Sequence, residues 1–305
     1  MSSYEGILPI HKPAGFTSHD VVAKCRGILK MKRIGHTGTL DPAVTGVLPL
    51  CLGRATRMVE YLQELPKEYE ATLVLGVATD TEDITGEIIE QVEEVHVTEE
   101  EIGLVLSRFV GKISQIPPMY SALKQDGKRL YELAREGKTV ERKPREVTIH
   151  ELELLAFHPE GPRPRISFRA LCSKGTYIRT LCVDIGRALG VPAAMTELKR
   201  TMSAGITESH CLTLDEVARQ VADGSLQKHL LPVDRAVEHL SAYTVAAEKV
   251  KAALQGQRLS PAVVSPPVQR GETLRLYSPE QQFLGIFRVE EETMAVKAVK
   301  VFLPE

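Results

Sequence analysis

The chain has little that would tie it to a membrane or to an oxidising compartment. Acidic or basic residues interrupt every apolar run before it is long enough to span a bilayer. The five cysteines are an odd number and include no Cys-x-x-Cys pair, which argues against a disulfide framework and against a zinc knuckle. The opening residues, MSSYEG, lack the basic stretch and the apolar core of a secretory signal. We therefore expect a cytoplasmic protein that has no membrane partner.

Sequence motifs that bind common cofactors are also missing. The chain contains no Gly-x-Gly-x-x-Gly fingerprint, no phosphate-binding P-loop and no His-x-x-x-His pair, so we expect neither a nucleotide cofactor nor a metal. The 305 residues are 43% hydrophobic and 26% charged, which is ordinary for a globular protein. This length is sufficient for a large core and a second domain. We expect a monomer, because no long apolar seam is left over.

The charges are nearly balanced overall but are unevenly distributed. The formal net charge of −2 argues weakly against a nucleic acid partner. Residues 80–101, however, carry ten acidic and no basic residues, whereas residues 124–146 carry eight basic and five acidic residues. The first sixty residues carry eight basic and four acidic residues. One basic face and one acidic face on a neutral protein suit the binding of a polyanion, and the acidic run is interpreted as solvated surface.

Residues 35–46 form the most informative segment, which reads GHTGTLDPAVTG. Three glycines, three threonines and one proline surround a single acid, Asp41. This composition fits neither an amphipathic helix nor an alternating strand. It predicts a tight loop whose backbone approaches another group closely and presents one carboxylate. On composition alone, an ordinary turn in which Asp41 caps a nearby N–H is an equal alternative.

This segment resembles the signature of the TruB-type pseudouridine synthases, and four further segments match that family in the expected order. They are HKPAG at residues 11–15, KEYEA at 67–71, PPMYSALK at 117–124 and SKGTYIR at 173–179. Val44 departs from the family pattern, which usually has alanine there. The resemblance implies an enzyme that makes pseudouridine at position 55 of transfer RNA, recognises the T-loop and T-stem, and needs no cofactor.

The order of the predicted elements favours an α+β fold, because strands and helices are mixed without the regular βαβ cadence of a doubly wound sheet. The resemblance implies a pseudouridine synthase core, built on a mixed, mainly antiparallel sheet flanked by helices. It assigns residues 1–240 to the catalytic domain, with an RNA-binding lobe at about 120–146. It identifies residues 241–305, where one helix and several short strands are predicted, as a small β-barrel-like PUA domain that binds RNA.

Local patterns predict where several elements begin, end or bend. Ser18 is predicted to cap a helix that ends near Met31, and capping boxes are predicted at Thr98 and Thr213. The apolar phase of the strand predicted after Arg145 shifts soon after Ile149, which indicates a bulge. A further helix is predicted over residues 54–63 and a further strand over residues 198–206.

Pseudouridine formation requires an anionic nucleophile or base near the ribose and a site that retains the detached uracil. Asp41 is the predicted carboxylate, and attack on C1′, attack on C6 and removal of the C2′ proton all remain open to it. A partly desolvated carboxylate needs a cation beside it, and Arg179 matches the family arginine that pairs with the acid. Tyr69 matches the family tyrosine that stacks on the uracil. Without the resemblance, Arg179 would be interpreted as a helix-surface residue and Tyr69 as a core residue.

The target base is stacked inside the T-loop, so it must be flipped out before it can react. His36 matches the histidine that fills the vacated space in the family. The resemblance implies that Lys12 supports the pocket, either by phosphate contact or by packing, that Leu198 lies under the uracil and that Tyr177 binds substrate. The predicted contacts to the RNA backbone lie in the lobe, at Lys124, Lys128, Arg129, Lys138, Arg142 and Lys143.

Other functions remain open at this point. The basic lobe and the tail also suit an RNA-binding or transfer RNA folding factor whose catalysis is secondary. A carboxylate-dependent nucleoside hydrolase usually needs two carboxylates beside the bond, and the segment around Asp41 supplies one. A guide-RNA-directed relative fits less well, because such relatives usually carry longer basic tails.

Overall fold

A computed structural model of the chain describes residues 4–121, 123–125, 127–138 and 140–303. The α-helices in these ranges are α1 (Ser18–Leu29), α2 (Val59–Glu64), α3 (Glu99–Arg108), α4 (Leu130–Arg135), α5 (Ile178–Ala188), α6 (Leu214–Ala222) and α7 (Val250–Leu254). Short 3-10 helices span Gly53–Met58, Glu208–His210, Leu226–His229, Val233–Val237, Ala247–Lys249 and Pro261–Val263. The first nine strands are β1 (Gly6–Lys12), β2 (Ile34–His36), β3 (Thr45–Leu52), β4 (Lys67–Leu75), β5 (Val77–Thr79), β6 (Ile88–Gln91), β7 (Gly111–Gln115), β8 (Lys124–Gln125) and β9 (Lys128–Arg129). The other strands are β10 (Arg145–His158), β11 (Arg165–Cys172), β12 (Ala193–Ser203), β13 (Ile206–Thr207), β14 (Ser241–Val245), β15 (Val264–Ser265), β16 (Thr273–Tyr277), β17 (Phe283–Val289) and β18 (Val296–Val301).

A nine-stranded sheet organises the first three-quarters of the chain. Its main path runs in the order β1-β3-β12-β4-β11-β10-β7, while β2 pairs with β3 and β13 pairs with β12. Strands β12 and β3 are parallel, and the other pairings of this sheet are antiparallel. The sheet is therefore mixed and mainly antiparallel, as the sequence predicted.

Helices flank this sheet and bury one of its faces. Ile102 of α3 and Ile185 of α5 belong to the same buried cluster as Leu73 of β4 and Phe168 of β11. Successive strand residues point to opposite faces, so alternate residues of β4, such as Glu70, lie on a more polar face. At the other end of the sheet, α1 and α6 pack on β1 and β3 in a second cluster. Strands β1 and β3 are buried on both faces, because Ile7 and Val47 belong to a further cluster on the side opposite Leu8 and Leu48.

Helix α1 begins one residue earlier than predicted. Thr17 Oγ1 accepts the Asp20 N–H at 3.0 Å, and the Asp20 carboxylate accepts the Thr17 N–H at 2.8 Å, which forms a capping box. The prediction that Ser18 caps the helix is wrong, because its buried Oγ accepts the N–H of Leu40 at 2.9 Å. The helix ends before Lys30, whose left-handed φ of 52° stops the helical backbone.

The capping boxes predicted at Thr98 and Thr213 are confirmed, and so is the bulge in β10. The register of β10 against β11 shifts between Ile149 and Glu151. The helix predicted over residues 54–63 is instead a 3-10 turn followed by the short helix α2.

The strand predicted over residues 198–206 begins earlier and ends sooner. Strand β12 starts at Ala193, because it pairs with β4 from that residue onward. It ends at Ser203, and the next two residues both have positive φ and turn the chain into β13. The pairing partner, rather than the local sequence, therefore sets where this strand starts.

The last part of the chain forms a five-stranded sheet in the order β15-β14-β16-β17-β18. The three predicted strands are present as β16, β17 and β18, whereas β14 and β15 were not predicted. The helix predicted over residues 246–254 is a 3-10 turn followed by the short helix α7. The described strands do not close into a barrel, which corrects the barrel-like prediction. The sheet packs on the first part of the chain, because Ile286 and Phe302 share a buried cluster with Ile7 and Met58. None of the helices in the described ranges is long and apolar enough to cross a membrane.

Candidate active site

The loop between β2 and β3 presents Asp41 on a fixed backbone. The Leu40 N–H donates to Ser18 Oγ at 2.9 Å, and the Gly15 N–H donates to the carbonyl oxygen of Pro42 at 2.9 Å. The buried side chain of Leu40 also joins the main core cluster. The Asp41 side chain itself is 49% exposed. The loop therefore holds one accessible carboxylate in a defined position.

Lys12 supports this loop from inside the protein. It is fully buried, and its Nζ donates to the carbonyl oxygens of Phe16 at 2.5 Å, Pro13 at 2.9 Å and Pro42 at 3.1 Å. Burial lowers the pKa of Lys12 to about 8, although the nearby Asp41 acts in the opposite direction. Three carbonyl oxygens use all three N–H donors of the ammonium group. Of the two roles that the sequence left open for Lys12, phosphate contact and packing, these contacts favour packing beneath the loop.

Arg179, in the first turn of α5, is the partner of Asp41. Its Nη2 lies 3.0 Å from Asp41 Oδ2. The Arg179 side chain is only 7% exposed, and it also donates to the carbonyl oxygens of Thr81 at 3.0 Å and of Tyr120 at 2.8 Å. A guanidinium group held from several sides offers a carboxylate one preferred orientation. The structure thus joins two residues that lie far apart in the sequence into one ion pair.

The turn after β5 carries a second carboxylate near the guanidinium group of Arg179. This contact was not predicted from the sequence. Asp83 Oδ2 lies 4.0 Å from Arg179 Nη1, so Arg179 lies between two carboxylates. The Asp83 carboxylate also accepts the Thr81 hydroxyl at 2.9 Å. Its neighbour Glu82 has a left-handed φ of 66° and accepts the Thr180 hydroxyl at 2.7 Å, and burial raises the pKa of Glu82. Within the described residues, no group of three or more His, Cys, Asp and Glu side chains is placed to hold a metal ion.

A cleft of about 540 Å³ opens beside the Asp41–Arg179 pair. Tyr69 on β4 and Leu198 on β12 line it, and Tyr177 lines it from the start of α5. Tyr69 is 9% exposed, and its burial raises the pKa of its hydroxyl. Burial also raises the pKa of Tyr177. This size lies within the range of small-ligand pockets, and the aromatic and apolar walls beside an ion pair suit a flat polar ring.

Arg200 lies buried at the base of this cleft and was not predicted. Its Nε donates to the carbonyl oxygen of Val47 at 2.7 Å, and its Nη2 donates to that of Gly38 at 3.3 Å. It also stands opposite Tyr69 in the pairing of β12 with β4, and its positive charge acts against the burial that raises the pKa of Tyr69. Gly46 lies against it with a φ of 105°, and an added Cβ there would come within 2.2 Å of the Arg200 carbonyl oxygen. Arg200 therefore connects the Asp41 loop to the tyrosine.

His36 lies at the end of β2, where the Asp41 loop meets α1. Its Nδ1 accepts the Gly38 N–H at 3.3 Å, and its ring meets the His19 ring edge-on with centroids 5.8 Å apart. Burial lowers the pKa of His36, and the charges of His19 and Arg200 act in the same direction. The imidazole is therefore neutral at pH about 7 and can both stack and form hydrogen bonds.

Several basic residues of the lobe already have partners inside the protein. Lys128 and Lys138 both pair with Glu136, at 3.0 Å and 2.7 Å. Arg142 donates to a backbone carbonyl oxygen at 3.0 Å, whereas Lys143 is exposed. Two of the predicted lysines of the lobe are therefore paired with an acid of the lobe itself. Two further predicted contacts have side chains that lie outside the described part of the structure, Lys124 and Arg129.

Two family models match adjoining parts of the chain. The family model for the N-terminal domain of TruB family pseudouridylate synthases matches residues 26–178. The family model for the C-terminal domain of tRNA pseudouridylate synthase B matches residues 179–238. The border between the two matches falls at Arg179, so both parts of the Asp41–Arg179 pair lie within matched regions.

Individual relatives extend the similarity over most of the chain. A Bacillus licheniformis protein named tRNA pseudouridine synthase B is 50% identical over 244 residues, which is 79% of each chain. The protein of the same name from Bacillus subtilis is 43% identical over 284 residues, which is 92% of each chain. Among solved structures, a Cbf5-Nop10-Gar1 complex contains a chain that is 31% identical, with a TM-score of 0.75 over 98% of this chain and 85% of that one. The predicted α+β fold is therefore confirmed.

Proposed function

This chain belongs to the TruB family of pseudouridylate synthases, and we propose that it converts the uridine at position 55, in the T-loop of transfer RNA, to pseudouridine. The observation that carries this proposal is the 3.0 Å ion pair between Asp41 and Arg179 beside the cleft. The names of its relatives, tRNA pseudouridine synthase B, support transfer RNA as the substrate.

The reaction breaks the N1–C1′ bond of uridine, turns the base and joins its C5 to C1′. The C5 proton leaves to water and N1 gains a proton, so no atom is gained or lost overall and no electrons are transferred. This balance is why we propose a reaction without a cofactor. Asp41 supplies the anionic oxygen that acts on the nucleoside, as nucleophile or as base. Arg179 keeps that oxygen ionised and oriented while the RNA covers it.

The detached uracil must remain in the cleft while it turns. Tyr69 and Leu198 offer it a flat aromatic and an apolar surface, and such contacts allow rotation without a fixed hydrogen-bond pattern. Tyr177 lies on the same cleft and contributes to the binding of the substrate. The Tyr69 hydroxyl, buried beside Arg200, is also placed to take part in moving the C5 proton.

Entry of the base requires that it leave the stacked T-loop. Unstacking costs a few kcal/mol, and an aromatic ring that fills the vacated space recovers part of this cost. His36 is suited to that role, because it is half-buried at the edge of the Asp41 loop and carries a neutral ring. We therefore propose that His36 replaces the flipped base inside the loop.

The rest of the chain would hold the remainder of the RNA. We propose residues 1–240 as the catalytic domain, with the lobe at about 120–146 contacting RNA phosphates. Residues 241–305 would be a PUA-type RNA-binding module built on the open five-stranded sheet. We also propose that the protein acts as a monomer in the cytoplasm, where it meets transfer RNA.

Incubation of the purified chain with a transfer RNA transcript tests this function directly. The transcript carries tritium at C5 of its uridines, and the reaction is followed by tritium released to water and by mass-spectrometric mapping of pseudouridine. We expect about one tritium released per transcript and one pseudouridine, at position 55, because only one uridine fits the cleft as proposed. A transcript with cytidine at that position should release none.

Two results would overturn the assignment. Release of free uracil would indicate a nucleoside hydrolase. This control is necessary because glycoside hydrolysis usually uses two carboxylates, and Asp83 is a second carboxylate near Arg179. Pseudouridine at another position, with none in the T-loop, would keep the chemistry but refute the proposed substrate site.

Deprotonation of Lys12 at alkaline pH should lower the reaction rate and raise the contribution of this residue to the unfolding free energy. Above its pKa of about 8, Lys12 is a neutral amine with two N–H donors for three carbonyl oxygens, so the Asp41 loop loosens. The pKa of Lys12 is lower in the folded protein than the roughly 10.4 of an unfolded lysine. At Lys12 the folded state therefore binds fewer protons between these values, and its contribution to the unfolding free energy rises with pH across this interval. Burial raises the pKa values of the cysteine thiols and acts in the opposite direction, so the effect of Lys12 is measured as a difference from a variant without it.

Both quantities can be measured on the same samples between pH about 7 and about 10. We expect kcat to fall about two- to tenfold above pH about 8, while the denaturation midpoint of the wild type rises relative to that of Lys12→Met. Lys12→Met removes the titrating group, so it should have a lower rate that no longer responds to pH in this range. Lys67 has a similar lowered pKa of about 8 in the same cleft. The role given to Lys12 would be contradicted if the fall in kcat at alkaline pH remained in Lys12→Met and disappeared in Lys67→Met.

A further inference from the structure

The outer face of α1 begins near the edge of the cleft and carries basic residues toward its end. His19, Ala23, Arg26 and Lys30 recur at intervals of three or four residues, and all four are exposed. This spacing places them on one side of the helix. His19 touches His36 at the end of the Asp41 loop. From His19 the helix carries this face about 16 Å away from the cleft, at 1.5 Å per residue.

The positive charge of this region is only partly offset by nearby acids in the sequence. Residues 18–59 contain seven basic residues and two acidic residues, which are Asp20 in the first turn of α1 and Asp41. Lys24, Lys30 and Lys32 are exposed, and none of them forms a salt bridge with another residue in the described ranges. A shallow groove crosses the end of this face, lined by Arg26, Gly27, Lys30, Met31 and Lys32.

The lobe at 120–146 differs in this respect, although its sequence contains more basic residues. Two of its lysines, Lys128 and Lys138, share Glu136, whereas Lys143 and Arg145 are exposed. Backbone phosphates bind to charges that are free to replace counterions. The exposed lysines of α1 and the turn that follows it, which pair with no carboxylate in the described ranges, therefore add a second group of such charges beside the Asp41 loop.

We propose that the α1 surface, defined by Lys24, Arg26, Lys30, Lys32 and Arg33, is a second binding surface for the phosphate backbone of the substrate RNA. It would bind the strand that leaves the target loop at His36 and follows α1 outward. This inference rests on the proposed function, because it takes the RNA held in the cleft as its starting point. The surface supplies affinity and orientation, whereas the cleft selects the base.

A triple variant, Lys24→Gln, Lys30→Gln and Lys32→Gln, removes three of these charges and leaves Arg26 and Arg33, which hydrogen-bond to Ile34 and Thr56. The matched control removes three exposed charges elsewhere, with Lys112→Gln, Arg187→Gln and Lys228→Gln. Binding to a full-length transfer RNA transcript is measured over a range of salt concentrations. We expect the slope of log Kd against log salt to fall by about 2, since each phosphate contact contributes roughly 0.7–0.9. At about 0.1 M salt, Kd should rise tenfold or more, with kcat at saturating RNA within about twofold of the wild type.

The two proposals fail in different ways in this experiment. If the α1 variant and the control bind RNA with the same Kd and the same salt slope, the α1 surface is not an RNA site. If the α1 variant loses kcat at saturating RNA but keeps its Kd, the lysines act on the catalytic loop, and the proposal is also refuted. If the wild type binds the transcript but makes no pseudouridine, the proposed function fails, and the binding comparison still decides the role of α1.

Discussion

Replacing Asp41 by asparagine should lower the rate of pseudouridine formation by about 10⁴-fold or more, because removal of an essential nucleophile or base has effects of this order. Asparagine keeps the size and most of the hydrogen-bonding capacity of the side chain but has no anionic oxygen. The fold should survive, because the loop backbone is held by Ser18 and Lys12 and the Asp41 side chain is 49% exposed. The affinity for transfer RNA should stay within about threefold of the wild type.

Tritium release in single-turnover reactions measures the rate, and Kd for the transcript is measured separately. Asp215→Asn is a matched control, since it removes an exposed carboxylate in the first turn of α6. Turnover by Asp41→Asn at more than about one-hundredth of the wild-type rate would refute the role of this carboxylate. A growth defect that Asp41→Asn rescues as well as the wild type would favour the alternative of an RNA-folding factor.

The features that the sequence predicted well depend on residues close together in the chain. The capping boxes at Thr98 and Thr213 each need only a hydroxyl and a glutamate three residues later. The composition of residues 35–46 similarly indicates a tight loop around Asp41. Where two neighbouring residues could both cap a helix, the local pattern was insufficient to choose between them. Thr17 and Ser18 both carry a hydroxyl, and Ser18 is taken by the distant Leu40 N–H.

The features that were missed depend on partners that only the fold brings together. Arg200 contacts the backbone of Gly38, which lies 162 residues away in the sequence. Asp83 belongs to a run of Thr, Asp and Gly residues that is typical of a turn, but nothing local indicates its approach to Arg179. Lys12 can be buried because three separate carbonyl oxygens accept hydrogen bonds from its ammonium group. The motif identified the lysine, whereas only its surroundings distinguish a buried support from a phosphate contact.

The geometry of Arg179 leads to the second large effect. One guanidinium group joins the Asp41 carboxylate to two carbonyl oxygens, those of Thr81 and Tyr120. These contacts hold the guanidinium group from two segments of the chain, so that it meets the Asp41 carboxylate in one orientation. A lysine ammonium supplies a point charge on a flexible stem and cannot reproduce this planar fork.

Arg179→Lys should therefore lower kcat by about 10²- to 10³-fold while KM for transfer RNA changes by less than about threefold, since the loss falls on transition-state stabilisation. Arg179→Met should lower kcat further and also destabilise the protein, because each buried carbonyl oxygen left without a donor costs about 1–3 kcal/mol. Arg187→Lys is the matched control on the same helix: Arg187 is 76% exposed and pairs only weakly with Asp184 at 3.1 Å. Its kcat and denaturation midpoint should equal those of the wild type. Wild-type kcat in Arg179→Lys would mean that positive charge alone suffices beside Asp41, and the proposed orienting role of the fork would be refuted.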